Sequence, residues 1–244
     1  MQPAINSVSV IIPAYNEGRR LKRALALVTD FLESKAYDWE LIVIDDGSQD
    51  STRRIANEHK QKYPSQMKVI ERDHNLGKGA TVKEGILAAT KSIVAFTDAD
   101  QATPIEELPG FIDQLENADV VIGSRYLKTS NVVKRQGLVR RILSRSGNLM
   151  IRFMVGLPFT DTQCGFKAMN RTAAQTIFPK MTIARWGFDI ELLVIAQVHK
   201  LRIVEIPVTW HDGGDSKLSA GRAAWATLKE LMAIRLNLMK GRYA

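Results

Sequence analysis

The sequence predicts an α/β fold: a Rossmann-like, mainly parallel sheet with helices on both faces. Short runs rich in Val and Ile recur through the first half of the chain, and such runs read as strands buried on both faces. Helical segments separate them, and that alternation is the rhythm of a doubly wound sheet with right-handed crossovers. At 244 residues, 45% of them hydrophobic, the chain can bury a sizeable core.

In chain order the strands fall at Val8 to Ala14, Glu40 to Asp45, Met67 to Glu71, Ser92 to Thr97 and Asp119 to Ser124. Helices are expected near Arg19 to Ser34, Ser51 to Tyr63, Gly79 to Thr90 and Pro104 to Glu116. Asp50 or Ser51 suits an N-cap, as does Thr103 ahead of Pro104. Repeats, low-complexity stretches and Gly/Ser linkers are absent, so residues 1–244 read as a single domain.

Two later segments have amphipathic helical spacing. Over 138–155, Arg141, Arg145, Asn148 and Arg152 share one face, while Val139, Ile142, Leu143, Leu149, Met150, Phe153 and Met154 fill the other. Near 220–240, Trp225, Leu228, Met232, Leu236 and Met239 form an apolar stripe beside Lys229, Lys240 and Arg242. Either helix could pack on the sheet. The net charge of +8 is regional: from Lys128 to Thr160 the chain carries Lys128, Lys134, Arg135, Arg140, Arg141, Arg145 and Arg152 with no acidic residue. A basic amphipathic helix of that kind suits a headgroup layer, where each basic residue adds roughly 1 kcal/mol of attraction to anionic lipid. No stretch approaches the roughly 18 apolar residues of a membrane span, and a signal peptide is not recognisable. The expectation is a cytoplasmic protein peripherally associated with the membrane. A single cysteine, Cys164, makes no internal disulfide and reads as a buried, inert thiol. The four histidines have no zinc-like spacing, so any metal must be held by oxygen.

In a doubly wound sheet, ligands bind outside the carboxyl ends of the strands, near the point where strand order reverses. The expected strand ends are unusually polar: Pro13, Tyr15, Asn16 and Glu17 after the first, Asp45, Asp46, Gly47 and Ser48 after the second, Asp98-Ala99-Asp100 after the fourth. An aromatic ring with carboxylates can stack on a base and accept its N–H donors. Two carboxylates two residues apart suit a hard divalent cation that also takes phosphate oxygens. Together these ends read as a nucleoside pocket beside a metal site. Asn75-Leu-Gly-Lys-Gly-Ala80 is not a P-loop, because its spacing is wrong and Lys78 is not followed by Ser or Thr; it reads as a helix-opening turn from which a lysine could approach a donor.

Three segments, Ser9-Val-Ile-Ile-Pro-Ala-Tyr-Asn-Glu17, Val43-Ile-Asp-Asp-Gly-Ser48 and Asp98-Ala-Asp100, resemble the signature of the inverting family 2 glycosyltransferases with the GT-A fold. Asp161-Thr-Gln-Cys-Gly-Phe-Lys167, Arg185-Trp-Gly-Phe-Asp-Ile-Glu191 and Glu205-Ile-Pro-Val-Thr-Trp210 resemble the dolichyl-phosphate β-glucosyltransferase branch, with the dolichyl-phosphate mannose synthases more distant. The resemblance implies a UDP-glucose donor, Mg²⁺ or Mn²⁺, and a polyprenyl phosphate acceptor at the cytosolic membrane face, with no nucleic-acid partner. It leaves open a membrane-protein subunit or a homo-oligomer. By position, Pro13, Tyr15, Glu17, Asp45, Asp46, Asp98 and Ala99 would hold the nucleotide, and Asp98 and Asp100 the metal. Arg125, Arg141 and Lys217 would meet phosphate or acceptor, and Asp161, Asp189 and Glu191 are candidates for sugar hydroxyls.

Two departures separate the chain from the mannosyl branch. Gln101 follows Asp100 directly, out of register with the glutamine of those enzymes, and His211-Asp-Gly213 stands where they carry arginine before Gly214-Asp-Ser-Lys217. The chemistry agrees with a phosphate acceptor, since a phosphate monoester is largely dianionic at neutral pH and needs no general base. Competing readings are mannose or N-acetylhexosamine transfer, transfer to a soluble saccharide with a base the sequence does not single out, a nucleotidyltransferase lacking its Gly-rich basic loop, and a noncatalytic nucleotide-sugar binding subunit.

Overall fold

The computed structural model describes residues 7–133, 150–211 and 220–244, and the side chains within these except for 220–225. Seven strands form one sheet in the order β3-β2-β1-β4-β7-β5-β8, where β1 is Ser7–Ala14, β2 Asp38–Asp45, β3 Met67–Glu71, β4 Ile93–Phe96, β5 Val120–Ser124, β7 Lys167–Asn170 and β8 Ile203–Pro207. A second, two-stranded sheet pairs β6 (Asn131–Val132) with β9 (Thr209–Trp210). β1 runs parallel to both β2 and β4, with Ala14 opposite Asp45 and Ile11 opposite Phe96. The chain therefore winds outward through β2 and β3, then returns to the other side of β1. That reversal opens a crevice at the ends of β1 and β4, as doubly wound sheets require.

The strands are buried on both sides, as their unbroken apolar runs demand. Val10, Ile12, Leu41, Val43 and Val121 face one core, and Ile11, Ile42, Ile44, Phe96 and Ile122 face the other. The first core is covered by α1 (Leu21–Ser34), α2 (Thr52–Lys60) and α4 (Leu108–Leu115). Leu21, Ala24, Leu25, Val28 and Leu32 give α1 the helical stripe that does this. The second core is covered by α3 (Lys78–Ala88), helical residues 150–155 (α5), α6 (Arg171–Ile177), α7 (Phe188–Val198) and α8 (Ala220–Met239).

Several expectations shift. Asp50, rather than Ser51, supplies the side-chain acceptor at the start of α2, taking the Thr52 N–H at 2.9 Å. Thr103 does not cap: its hydroxyl lies 3.8 Å from the buried Cys164 thiol, and Pro104 opens a 3₁₀ turn, Ile105–Glu107, before α4. β7 is antiparallel to both neighbours. Within α5, Ile151 and Val155 point inward, while Phe153 of the expected apolar face stands 93% exposed beside exposed Arg152. The rest of that helix, with Arg141, lies outside the described residues, as do Lys217 and Asp212. On α8, Leu231 and Ile234 are buried, whereas Met232, Leu236 and Met239 of the expected apolar stripe face outward. Among the described residues no helix is long and apolar enough to cross a membrane.

Candidate active site

A cleft of about 470 Å³ opens at the reversal point, within the range of small-molecule sites. Pro13, Ala14, Tyr15 and Glu17 from the end of β1 form one side, and Asp98, Ala99 and Asp100 from the end of β4 form the floor. Asp46, Asn75, Gly77, Lys78 and Thr81 close the second side, and Arg185 and Trp186 the third.

The β1 turn is built to present its side chains. Asn16 takes a left-handed backbone, with φ of 54°, a conformation asparagine tolerates. Its N–H donates to Ser48 Oγ at 2.9 Å, Gln49 N–H donates to Asn16 Oδ1 at 2.8 Å, and Glu17 N–H donates to Thr52 Oγ1 at 2.8 Å. The end of β1 is thus tied to the end of β2, leaving Tyr15 45% exposed over the cleft.

Asp45 and Asp46 take different parts. Asp45 is fully buried, accepting from Ser48 N–H and from Arg53 Nε at 3.0 Å, and does not line the cleft. Asp46 borders it, but its carboxylate already accepts from Leu76 N–H, Gly77 N–H and the Arg72 guanidinium, each at 2.9 Å. It fixes the loop leading into α3. There Gly77 has φ of 105°, and a side chain on it would collide with the Ala184 carbonyl. The close approach lets the 183–187 loop accept hydrogen bonds from the start of α3: Gly79 N–H to Arg185 O at 3.2 Å and Ala80 N–H to Ala184 O at 3.0 Å. These helix-opening N–H groups are spent on that loop, so this is no phosphate-binding loop.

Lys78 emerges from the same turn and lays its ammonium 2.5 Å from Asp98 Oδ1. Burial would lower its pKa, but Asp98, Asp189 and Asp100 outweigh burial and raise it, holding the charge. Asp100 accepts from Ala102 N–H at 3.0 Å and lies 3.8 Å from Arg20. Burial, then the neighbouring Asp98 charge, push its proton affinity up. Gly165 packs against Asp98 so closely that a Cβ would overlap the carboxylate. Gln101, with φ of 52°, folds back to donate to Asp98 O at 3.1 Å, and its Oε1 is a buried acceptor without a partner.

No cluster of three or more His, Cys, Asp or Glu able to hold a metal occurs among the described residues. A cation here would be held by two carboxylates, with its other ligands supplied by water or phosphate. The residues fit that demand: both are oxygen donors, and both line the cleft with their carboxylates partly exposed.

The remaining sequence candidates lie elsewhere. Arg125 does not line the cleft; it grips Asp161 through Nε at 2.7 Å and its terminal nitrogen at 2.8 Å, near the rings of Tyr126 and Trp210. That pairing raises the guanidinium pKa and lowers that of Asp161 despite its burial. Asp189 lies behind the cleft wall, bonded at 2.5 Å to the buried ammonium of Lys167, which also donates to Cys164 O. Glu191 accepts from Thr182 N–H, Ile183 N–H, the Thr182 hydroxyl and the Tyr243 hydroxyl. The acceptor positions offered to sugar hydroxyls are thus occupied by protein donors. Cleft residues that the spacing arguments did not assign are Lys78, Thr81, Asn75, Arg185 and Trp186; the Gly-Lys-Gly and Arg-Trp-Gly sequences were their signal.

The topology, the Asp-x-Asp floor and the aromatic-carboxylate flank define a nucleotide-sugar transferase of the GT-A type. The glycosyl transferase family 2 profile matches residues 9–178, and the chain belongs to that family. It is 35% identical to the dolichyl-phosphate beta-glucosyltransferase of Dictyostelium discoideum over 246 residues, 96% of this chain and 75% of that one. The human enzyme of that name is 34% identical over 250 residues, 96% and 76% of the two chains. In fold the chain is similar to glucosyl-3-phosphoglycerate synthase from Mycobacterium tuberculosis, crystallised with Mn²⁺, UDP and glucosyl-3-phosphoglycerate. The TM-score is 0.69 at 21% identity, covering 95% of this chain and 79% of that one.

Proposed function

We propose that the protein transfers glucose from UDP-glucose to a polyprenyl phosphate of the dolichyl type, with inversion, at a membrane surface. The observation that carries this reading is the cleft's chemistry: cations and a carboxylate pair, with only Arg185 and Trp186 among the described residues lining the third wall. The carboxylates that adjoin that wall are engaged by protein donors, Asp189 by Lys167 at 2.5 Å and Glu230 by Gly187 N–H at 2.7 Å. A saccharide hydroxyl needs a base to become a nucleophile, whereas a phosphate monoester arrives already anionic. The relatives' names and the extent of the match support the same substrate pair.

Tyr15 would stack on the uracil while Glu17 and the Asp46 loop border the nucleoside. Asp98 and Asp100 would hold Mg²⁺ or Mn²⁺, the ion with which the fold relative was crystallised in the case of Mn²⁺. That ion would supply Lewis acidity to the departing diphosphate. Lys78, freed from Asp98, brings a second positive charge to the same oxygens. A non-bridging oxygen of the acceptor phosphate forms the bond to the anomeric carbon as the bond from that carbon to the diphosphate breaks. UDP leaves with the electron pair, and the α-linked donor yields a β-linked product. No proton need be removed. Exposed Phe153 and Arg152, and the outward stripe Met232, Leu236 and Met239, supply apolar and basic surface for a bilayer.

The test is a panel of labelled nucleotide sugars offered with polyprenyl phosphate or a soluble glycan, with and without chelator. Metal-dependent appearance of a β-glucosyl phosphate lipid from UDP-glucose is expected. Transfer to the glycan alone, or full activity in chelator, overturns the reading.

A further inference from the structure

The wall formed by Arg185 and Trp186 has no part in the donor scheme, yet it too is firmly held. Its loop is clamped at three places. Glu191 accepts Thr182 N–H at 2.9 Å and Ile183 N–H at 2.8 Å. Gly79 and Ala80 of α3 donate to the carbonyls of Arg185 and Ala184. Glu230 of α8 accepts Gly187 N–H at 2.7 Å. Between these clamps both side chains are exposed, Trp186 at 42%. Among the described residues no carboxylate lies within ion-pair distance of Arg185, although Glu230 is near enough to feel its charge. A large apolar ring and a cation, held in place and turned to the cleft, suit an amphiphile with an anionic head.

We infer that Arg185 and Trp186 seat the acceptor, the guanidinium binding the phosphate monoester and the indole packing on the first apolar segment of the chain attached to it. The inference rests on the transfer reaction proposed above and adds where the acceptor sits. Position supports it. The Lys78 ammonium lies 5.9 Å from the centre of the Trp186 ring and 2.5 Å from Asp98. Arg185, next to Trp186, lines the same cleft as the carboxylates that would carry the donor diphosphate. Leu76, between the cleft residues Asn75 and Gly77, is itself 43% exposed. Because the loop is already fixed, little ordering entropy opposes binding.

The experiment measures three quantities for the wild type, Arg185→Gln, Trp186→Ala and Trp186→Phe: KM for farnesyl phosphate in detergent, Kd for UDP with Mn²⁺ by calorimetry, and direct retention of farnesyl phosphate by equilibrium dialysis without donor. Arg185→Gln and Trp186→Ala should each raise the acceptor KM about tenfold, Trp186→Phe should recover most of the loss, and UDP affinity should stay within about twofold. Weakened UDP binding with an unchanged acceptor KM overturns the seat, as does no change in either. Should the wild type transfer no sugar to farnesyl phosphate, the reaction proposal fails, and dialysis alone decides the seat: loss of retention in Arg185→Gln upholds it and unchanged retention overturns it. A melting curve for each variant separates unfolding from lost contacts, and Trp186→Phe, which keeps an aromatic ring, remains informative should Trp186→Ala fail to fold.

Discussion

Two groups of carboxylates stand at the carboxyl ends of this sheet and behave in opposite ways. Asp161 and Asp189 lie in closed pairs, their side chains 0% and 7% exposed, with Arg125 and Lys167 making charge-assisted hydrogen bonds to them. Asp98 and Asp100 are each 32% exposed, share a floor, and meet Lys78 and Arg20 from the side. The closed pairs satisfy themselves and hold the scaffold. The open pair lines the cleft, where a cation could reach it. Exposure to the cleft, rather than position at a strand end, separates the two groups.

Breaking the open pair should have the largest effect on activity. Asp98→Asn or Asp100→Asn should reduce sugar transfer about a thousandfold while leaving the melting temperature close to that of the wild type. A large loss of stability alongside would place these residues with the scaffold. Breaking a closed pair should do the reverse. Lys167→Met leaves Asp189 buried without its cation and should destabilise the fold by about 3–5 kcal/mol, lowering the melting temperature by about 10 °C in a chain of this size. Lys167→Met combined with Asp189→Leu should regain much of that loss, because no buried charge is left unpaired.

Glu40 sharpens the contrast through pH. Burial opposes its charge, but the Ser9 hydroxyl, the Thr90 N–H and hydroxyl, and Lys68 hold its pKa down at about 2. A depressed carboxylate pKa contributes stability that is full above the unfolded value and is lost as pH falls through the folded one. Glu40→Gln should therefore cost at most about 3 kcal/mol at pH 7, and the gap to wild type should close between the ordinary glutamate range and about pH 2. A gap independent of pH would show that packing, not charge, sets the cost.

Much of this was legible in the residues. Val and Ile runs identified β1 to β5 because strands buried on two faces have little freedom in composition. The polar strand ends located the cleft because topology forces ligands to the reversal point. β7 was hidden: Lys167-Ala-Met-Asn170 is short and mixed, and its lysine is buried only because Asp189 meets it. α7 was hidden for the opposite reason, since Phe188, Ile190, Leu192, Leu193 and Ile195 are buried around the whole helix and leave no amphipathic period. The pairings of Arg125 with Asp161 and of Asp189 with Lys167 depend on side chains 36 and 22 residues apart. Motif position alone therefore did not show that Arg125, Asp161 and Asp189 are engaged by protein partners.

The finest test concerns Tyr15, where backbone and side chain divide the two behaviours within one turn. Its neighbours are locked: Asn16 and Glu17 are bonded to Ser48 and Thr52, so the turn belongs to the scaffold. Its ring is 45% exposed over the cleft and is available to a flat partner. Stacking of a base on an aromatic side chain contributes about 1–3 kcal/mol as measured by alanine substitution. Tyr15→Ala should then weaken UDP binding about tenfold with little change in stability, and Tyr15→Phe should preserve affinity, because the ring rather than the hydroxyl makes the contact. Loss of affinity in Tyr15→Phe equal to that in Tyr15→Ala would assign the role to the hydroxyl instead, and a fall in melting temperature without loss of UDP would return Tyr15 to the scaffold.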